Sequence, residues 1–410
     1  MSLMAGQAAA GVVIRGEKGS WSLEVDGKPF EIKGVGCGIH RGKNGEDYLK
    51  MAKEMGANVV RTWGTDQGTQ EYLDRAAELG LKVIAGIWLN HATQDGKFSY
   101  RDDKEYVWAK RREILSYVTR FRNHPAVLMW GLGNETIYFT KDEVERRELC
   151  AFMEEMVQVI HRVDPNHPVV YASASKMDFT YLARDVPSLD VIGANEYSSV
   201  RSLHSGWQDA GFDKPYLVTE YGPYTHHDRP CDVNRRASEP QDYQKAMLYR
   251  SLTEQIWEFG GYNLGGVAFH LGETTQESMT WWNLNEGQKK RPSYWVMYQL
   301  YTGQKPPCAF LRLRKLTLDR YRGVAPGAWI DVKVCPADDA VPDVATSYRL
   351  STAKEGILEY YVNEWVPAEV EAQGLTARIR MPQKKGVYRV YGFVEKECAV
   401  VSASATVAVE

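Results

Sequence analysis

The stretch Asn58–Trp88, NVVRTWGTDQGTQEYLDRAAELGLKVIAGIW, decides the fold. It opens on a short apolar run, Asn58–Thr62, that reads as a strand. An amphipathic stretch follows over Thr69–Leu79, and Gly80 occupies the position that ends a helix. Lys82–Trp88 is a second apolar run. One strand–helix–strand unit is thus written in 31 residues, with strands short and apolar enough for a parallel sheet buried on both faces.

The same rhythm continues in both directions. Upstream, Ile32–Gly36 reads as a strand and Asp47–Met55 as a helix stopped by Gly56. Downstream come the helix Tyr106–Phe121, then Val127–Trp130 with Glu143–Val163, and Val169–Ala172 with Lys176–Arg184. Val191–Ala194 pairs with Val200–Ala210, Tyr216–Thr219 with Gln241–Phe259, and Leu264–Phe269 with Pro292–Tyr301. Eight strand–helix units in about 270 residues is the count and length of a (β/α)8 TIM barrel. The competing doubly wound sheet wants a G-x-G-x-x-G turn after its first strand. Gly34-Val35-Gly36-Cys37-Gly38 is glycine-rich but does not continue into that pattern.

Before the barrel, Val12–Arg15, Trp21–Val25 and Phe30–Lys33 read as short strands, separated by Gly16–Gly19 and the Asp26-Gly27 hairpin turn. After Lys305-Pro306-Pro307 the texture changes to alternating segments: Leu311–Leu318, Trp329–Val334, Thr346–Leu350, Leu358–Val362, Thr376–Met381, Val387–Glu395 and Val400–Val409. Their spacing predicts a small all-β, immunoglobulin-like sandwich. The expected division is therefore a tag or signal-peptide remnant over 1–10, an α/β barrel with its N-terminal hairpin over 11–305, and the sandwich over 306–410. The small apolar residues Gly6–Ala10 read as the stub beside a signal cleavage site, which favours a secreted or periplasmic protein and leaves the cytoplasm as the second reading.

Composition narrows the function. Hydrophobic residues make up 44% and charged residues 25% of the 410, ordinary values for a folded protein. Fifty basic side chains against 53 acidic ones give a net charge of −3, which offers no basic excess for a nucleic acid partner. No apolar run reaches the roughly 18 residues that cross a bilayer. The six cysteines (Cys37, Cys150, Cys231, Cys308, Cys335, Cys398) are scattered without a C-x-x-C pair, which predicts buried free thiols and neither a zinc site nor a disulfide framework. His40 and His91 lack metal-ligand spacing, so no metal is expected, and the reaction expected below needs no organic cofactor. His226-His227-Asp228 reads as a loop on the substrate side.

Catalytic residues of such barrels sit at the C-terminal strand ends. Those ends carry Arg61-Thr62-Trp63, Trp88 to His91, Asn134-Glu135, Asn195-Glu196-Tyr197, Glu220-Tyr221 and His270. Carboxylates, aromatic rings, amides and an arginine converge there. Glu135 and Glu220 stand out because each follows an apolar strand and sits among small or aromatic neighbours. Strands four and seven lie across the ring from one another, so the two carboxyls can face across the mouth. A retaining glycosidase needs such a pair about 5 to 5.5 Å apart.

Trp130-Gly131-Leu132-Gly133-Asn134-Glu135 resembles the W-x-x-G-N-E signature of glycoside hydrolase family 2, within the wider set of retaining (β/α)8 glycosidases. Arg61-Thr62-Trp63, Asp190–Tyr197 and Lys214–Gly222 resemble further landmarks of that barrel, over residues 20 to 305. The resemblance implies Glu135 as acid/base, Glu220 as nucleophile and Asn134 as the partner of the sugar 2-hydroxyl. It also implies that Tyr197 donates to Glu220 and that Arg61 keeps Glu220 ionised, while a second negative carboxylate raises Glu135. The expected reaction is hydrolysis of a β-linked oligo- or polysaccharide by double displacement.

Trp63, Trp88, Trp281 and Trp282 are the candidates to stack on sugar rings. His91, Asn195, Tyr221 and His270 complete the expected substrate-binding set. Two features depart from the family. A short segment stands where family members carry two β-domains before the barrel, and Phe269-His270 occupies the place of a landmark tryptophan. Transglycosylation through the same site, and a binding protein without turnover, stay open beside hydrolysis. Oligomeric state, sugar and linkage are not legible.

Overall fold

The structure, a computed structural model, describes residues 11–92, 98–337, 344–354 and 362–410. The expected N-terminal remnant lies outside these residues, as does all but the last position of the expected strand Leu358–Val362. Among the described residues no helix is long and apolar enough to cross a membrane. The chain forms two compact units. The first holds residues up to His40, Asp47–Tyr221 and Leu252–Ala268; the second holds Arg41–Glu46, Gly222–Ser251 and Phe269–Glu410.

The first unit opens with a hairpin sheet of β1 (Val12–Arg15), β2 (Ser22–Val25) and β3 (Lys28–Pro29). Eight parallel strands follow: β4 (Ile32–Gly36), β5 (Val59–Arg61), β6 (Lys82–Ile87), β7 (Val127–Asn134), β8 (Val169–Ser173), β9 (Val191–Glu196), β10 (Tyr216–Tyr221) and β11 (Asn263–Ala268). They close into a barrel in chain order, with β11 pairing back onto β4. Val12, Leu23 and Val25 of the hairpin share one apolar cluster with Ile32, Val59, Ile84, Leu128, Val170, Val191 and Leu217 near the strand starts. The hairpin thus plugs the lower end, and the upper end is left for polar residues.

Helices α1 (Tyr48–Glu54), α2 (Thr69–Glu78), α3 (Lys104–Phe121), α4 (Thr136–Phe139), α5 (Glu143–Val163), α6 (Lys176–Asp185), α7 (Val200–Asp209) and α8 (Asp242–Glu258) connect the strands. Their starts follow local chemistry. Asp47, Asp103, Asp142, Ser175 and Ser199 each accept a backbone N–H from the first turn of the helix they precede. Asp103 explains why α3 begins two residues before the periodicity suggests. The four-residue α4, directly after Glu135, is too short to leave a periodic signal.

The second unit contains α9 (Pro292–Thr302) and a two-sheet sandwich. One sheet orders β12 (Asn285–Glu286), β13 (Lys289–Lys290), β21 (Ala399–Val409), β20 (Gly386–Lys396), β16 (Ala345–Thr352) and β17 (Trp365–Val366). The other orders β14 (Leu313–Leu318), β15 (Trp329–Pro336), β19 (Thr376–Arg380) and β18 (Val370–Gln373). Leu316, Val332, Val334, Leu350, Ile379, Val390 and Val407 form the core between them. β12 and β13 come from residues before 306, so the sandwich recruits chain the sequence pattern assigns to the barrel.

The cysteine expectation is corrected here. Cys308 and Cys398 form a disulfide with Cα atoms 6.0 Å apart, and Cys231 is exposed; only Cys37 and Cys150 are buried free thiols. Spacing along the chain carries no information about two residues that a hairpin tip and a linker bring together.

Candidate active site

The upper end of the barrel gathers its polar groups by three local devices. Arg61 is the last residue of β5, and its guanidinium is buried, 3% exposed, so it must find partners. β7 and β8 lose register between Gly131 and Asn134. β10 slips against β9 between Val218 and Glu220, which sets Glu220 opposite Asn195. Such irregularities re-aim a side chain at the end of a strand. The third device is a pair of left-handed residues: Gly133 has φ +88° and Glu135 φ +55°. The chain turns there from strand into α4, while the Glu135 N–H still donates to the Ala172 carbonyl at 2.8 Å. A non-glycine residue in that region is uncommon and typical of functional turns.

The result is one hydrogen-bonded cluster. Arg61 Nη1 donates to Glu220 Oε1 at 2.8 Å and to the Thr219 carbonyl at 2.9 Å. Its Nη2 donates to Asn134 Oδ1 at 2.7 Å. Trp63 Nε1 donates to Glu220 Oε1 at 2.6 Å, and the Tyr197 hydroxyl to Oε2 at 2.7 Å. All three partners of Glu220 are donors, one of them a guanidinium, which suits an ionised acceptor. Asn195 bridges to the other carboxyl: its Nδ2 donates to Glu135 Oε1 at 2.7 Å and to Asn134 Oδ1 at 3.2 Å. Thr219 Oγ1 donates to Asn195 Oδ1 at 2.8 Å and fixes that amide.

Glu135 is pushed up to about 7 by burial first and by the nearby Glu220 charge second. Its single cluster partner, Asn195, opposes that shift without cancelling it. Asp178, fully buried under the loop before α6, adds to the rise and is itself pushed up to about 7 by burial. Two carboxyls in one cluster therefore differ in surroundings: Glu220 meets three donors, and Glu135 sits where a proton is retained.

Arg61, Trp63, Asn134, Glu135, Asn195, Tyr197 and Glu220 come together here. Others do not. Tyr221 is 1% exposed; the strand parity that turns Glu220 inward turns Tyr221 out, and its hydroxyl pairs with Thr253 Oγ1 at 3.0 Å. Trp88 is half-buried after β6, and His91 lies with its ring 5.9 Å from that of Phe139. His270, Trp281 and Trp282 belong to the second unit. Burial lowers His270 to about 4. Trp281 has no exposed surface and Trp282 6%; their indole N–H groups donate to the Tyr224 and Pro223 carbonyls. Trp281 thus has no free face for a sugar. Trp63 uses its N–H on Glu220, a contact that a stacking role does not anticipate. Thr219 and Asp178 were not legible: the slip in β10 brings Thr219 to Asn195, and α6 delivers Asp178 from outside the strands.

The family model described as "Glycosyl hydrolases family 2, TIM barrel domain" matches residues 22–257. A beta-glucuronidase of Paenibacillus borealis is 25% identical over 288 residues, covering 58% of this chain and 44% of that protein. Beta-galactosidase BgaC of Bifidobacterium adolescentis is 29% identical over 218 residues, covering 48% of this chain and 19% of that protein. The chain thus spans less than half the length of these relatives. The solved structure of a Bacteroides uniformis beta-glucuronidase is alike in fold, with a TM-score of 0.55 at 15% identity over 97% of this chain and 48% of that one.

Proposed function

The chain belongs to glycosyl hydrolases family 2, and from that premise we propose that it is a β-glycosidase that cleaves a β-linked sugar by double displacement. Glu220 attacks the anomeric carbon as the Glu135 proton passes to the leaving oxygen. Water, deprotonated by Glu135, then releases the sugar from Glu220. The observation that carries this reading is the inequality of the two carboxyls: Glu220 in a shell of three donors, Glu135 raised to about 7. An acid/base must hold a proton near neutral pH and a nucleophile must not.

Arg61 offsets negative charge beside Glu220, and Asn195 orients Glu135. The similarity to a beta-glucuronidase and a beta-galactosidase directs the substrate search to β-glucuronides and β-galactosides first. A panel of aryl β-glycosides tests turnover. Intact-mass and peptide mapping after treatment with 2-deoxy-2-fluoro-β-glycosyl fluorides tests the chemistry: the label is expected on Glu220. A label on any other residue, or turnover that survives Glu220→Gln, would overturn the assignment.

A further inference from the structure

The glycine run Gly34-Val35-Gly36-Cys37-Gly38 holds no phosphate turn in a barrel strand, and the structure gives it another occupant. A Cβ added at Gly36 would lie 2.8 Å from Cη2 of the Trp63 indole, and one at Gly38 would lie 3.5 Å from its Cε3. On β6, a Cβ at Gly86 would lie 2.5 Å from the Trp63 carbonyl carbon and 2.3 Å from the Thr62 oxygen. Side chains are thus missing on both sides of the segment Thr62-Trp63. The room they leave seats the indole, and the seat decides where its N–H points.

It points at Glu220. Oε1 of that carboxylate accepts from Trp63 Nε1 at 2.6 Å and from Arg61 Nη1 at 2.8 Å. The Arg61 guanidinium carbon lies 5.2 Å from the centroid of the same ring, so the two donors also brace each other. An ionised carboxylate oxygen has two in-plane acceptor positions, and on Oε1 both are taken. Oε2 receives the Tyr197 hydroxyl at 2.7 Å and keeps its second position.

We propose that Trp63 is a positioning residue: seated against Gly36 and Gly38, it locks Oε1 of Glu220 together with Arg61 and leaves Oε2 as the atom that attacks. This rests on the reading of Glu220 as nucleophile. In the step concerned, the Oε2–anomeric carbon bond forms as the glycosidic C–O bond breaks, and the departing oxygen takes the proton from Glu135. Trp63 forms no bond to sugar; it fixes the angle at which Oε2 meets the anomeric carbon.

The test separates this role from stacking. Trp63→Phe keeps a ring face and removes the N–H; Gly36→Ala keeps the N–H and crowds its seat. Inactivation by 2-deoxy-2-fluoro-β-D-glucosyl, galactosyl and glucuronyl fluorides reports the attack of Glu220 alone. Each variant is expected to label 10- to 100-fold more slowly, with half-saturation changed by less than about threefold. Gly36→Ala combined with Trp63→Phe is expected to be no slower than Trp63→Phe alone, because both act through one hydrogen bond. A Trp63→Phe variant that labels at the wild-type rate with weakened half-saturation makes Trp63 a sugar platform and overturns the proposal, as do losses that multiply in the double variant. If Gly36→Ala does not fold, Trp63→Phe decides alone. A wild type that labels elsewhere than Glu220 refutes the nucleophile assignment itself, a result distinct from a normal Trp63→Phe rate.

Discussion

Glu135→Gln removes a titrating proton from a site whose surroundings penalise its loss, and the effect on stability has a predictable sign. A carboxyl held protonated to about pH 7 instead of about 4.5 carries roughly 3 kcal/mol of disfavour in its ionised form, at about 1.4 kcal/mol per pH unit. The folded pKa is raised above the unfolded one, so the contribution is fully favourable below pH 4.5 and is lost as pH climbs to about 7. Glutamine carries no charge at any pH, and it retains the oxygen that accepts from Asn195. The variant is therefore expected to match the wild type at pH 4.5 apart from a constant offset, to gain on it between pH 4.5 and 7, and to hold that gain at pH 8. With about 2 to 4 °C per kcal/mol for a unit of this size, the ceiling on the gain in melting temperature is roughly 6 to 12 °C. Asp178 titrates in the same window in both proteins, and its repulsion of the Glu135 charge is already contained in the value of about 7. Melting curves at half-unit pH steps, scanned at one rate, measure it. A difference that does not change with pH, or that shrinks as pH rises, would refute the reasoning.

If Glu135 is the acid/base, as proposed, kcat/KM for an aryl β-glycoside is expected to fall on the alkaline side with a midpoint near pH 7, and a profile flat to pH 9 contradicts that role for Glu135. Arg61→Lys leaves a single ammonium where one guanidinium reaches Glu220, the Thr219 carbonyl and Asn134. The expected loss in kcat/KM is on the order of 100- to 1000-fold, and a loss below about tenfold would show the fork to be dispensable. Alkylation of the denatured, unreduced protein is expected to modify the four cysteines Cys37, Cys150, Cys231 and Cys335 and to spare Cys308 and Cys398; Cys398→Ser is expected to cost about 2 to 4 kcal/mol, read as a lower melting temperature that reducing agent no longer changes.

Hydrophobic periodicity carries the barrel because a parallel strand buried on both faces must be apolar along its length, and the helix between two such strands must be amphipathic. Asn58–Trp88 shows both within one unit. Strand ends are a different matter. β7 runs to Asn134 and β10 to Tyr221, beyond the apolar runs, because the barrel continues through Gly131 and Gly133 and tolerates polar side chains where they face the mouth. The two carboxyls were legible from their place after those strands. Their shared cluster was not, since register slips near Asn134 and Glu220 leave no compositional trace. Tyr221 shows the cost of reading a motif without parity: adjacent to Glu220 in sequence, it faces the opposite way. Trp281 and Trp282 follow a polar segment and look like loop residues, yet both are buried. The disulfide escaped for a related reason, because ninety residues of separation say nothing about distance.

The hydrogen bond from Asn195 to one oxygen of Glu135 has a consequence for trajectory in the proposed reaction. With its carbonyl end pinned by Thr219, the amide presents only N–H to Oε1, so the acid form of Glu135 carries its mobile hydrogen on Oε2. In the proposed reaction the departing aglycone would collect that hydrogen, and the incoming water would later surrender one to the same edge of the carboxyl. On that proposal both half-reactions would share a single approach path, with no side-chain rotation between them.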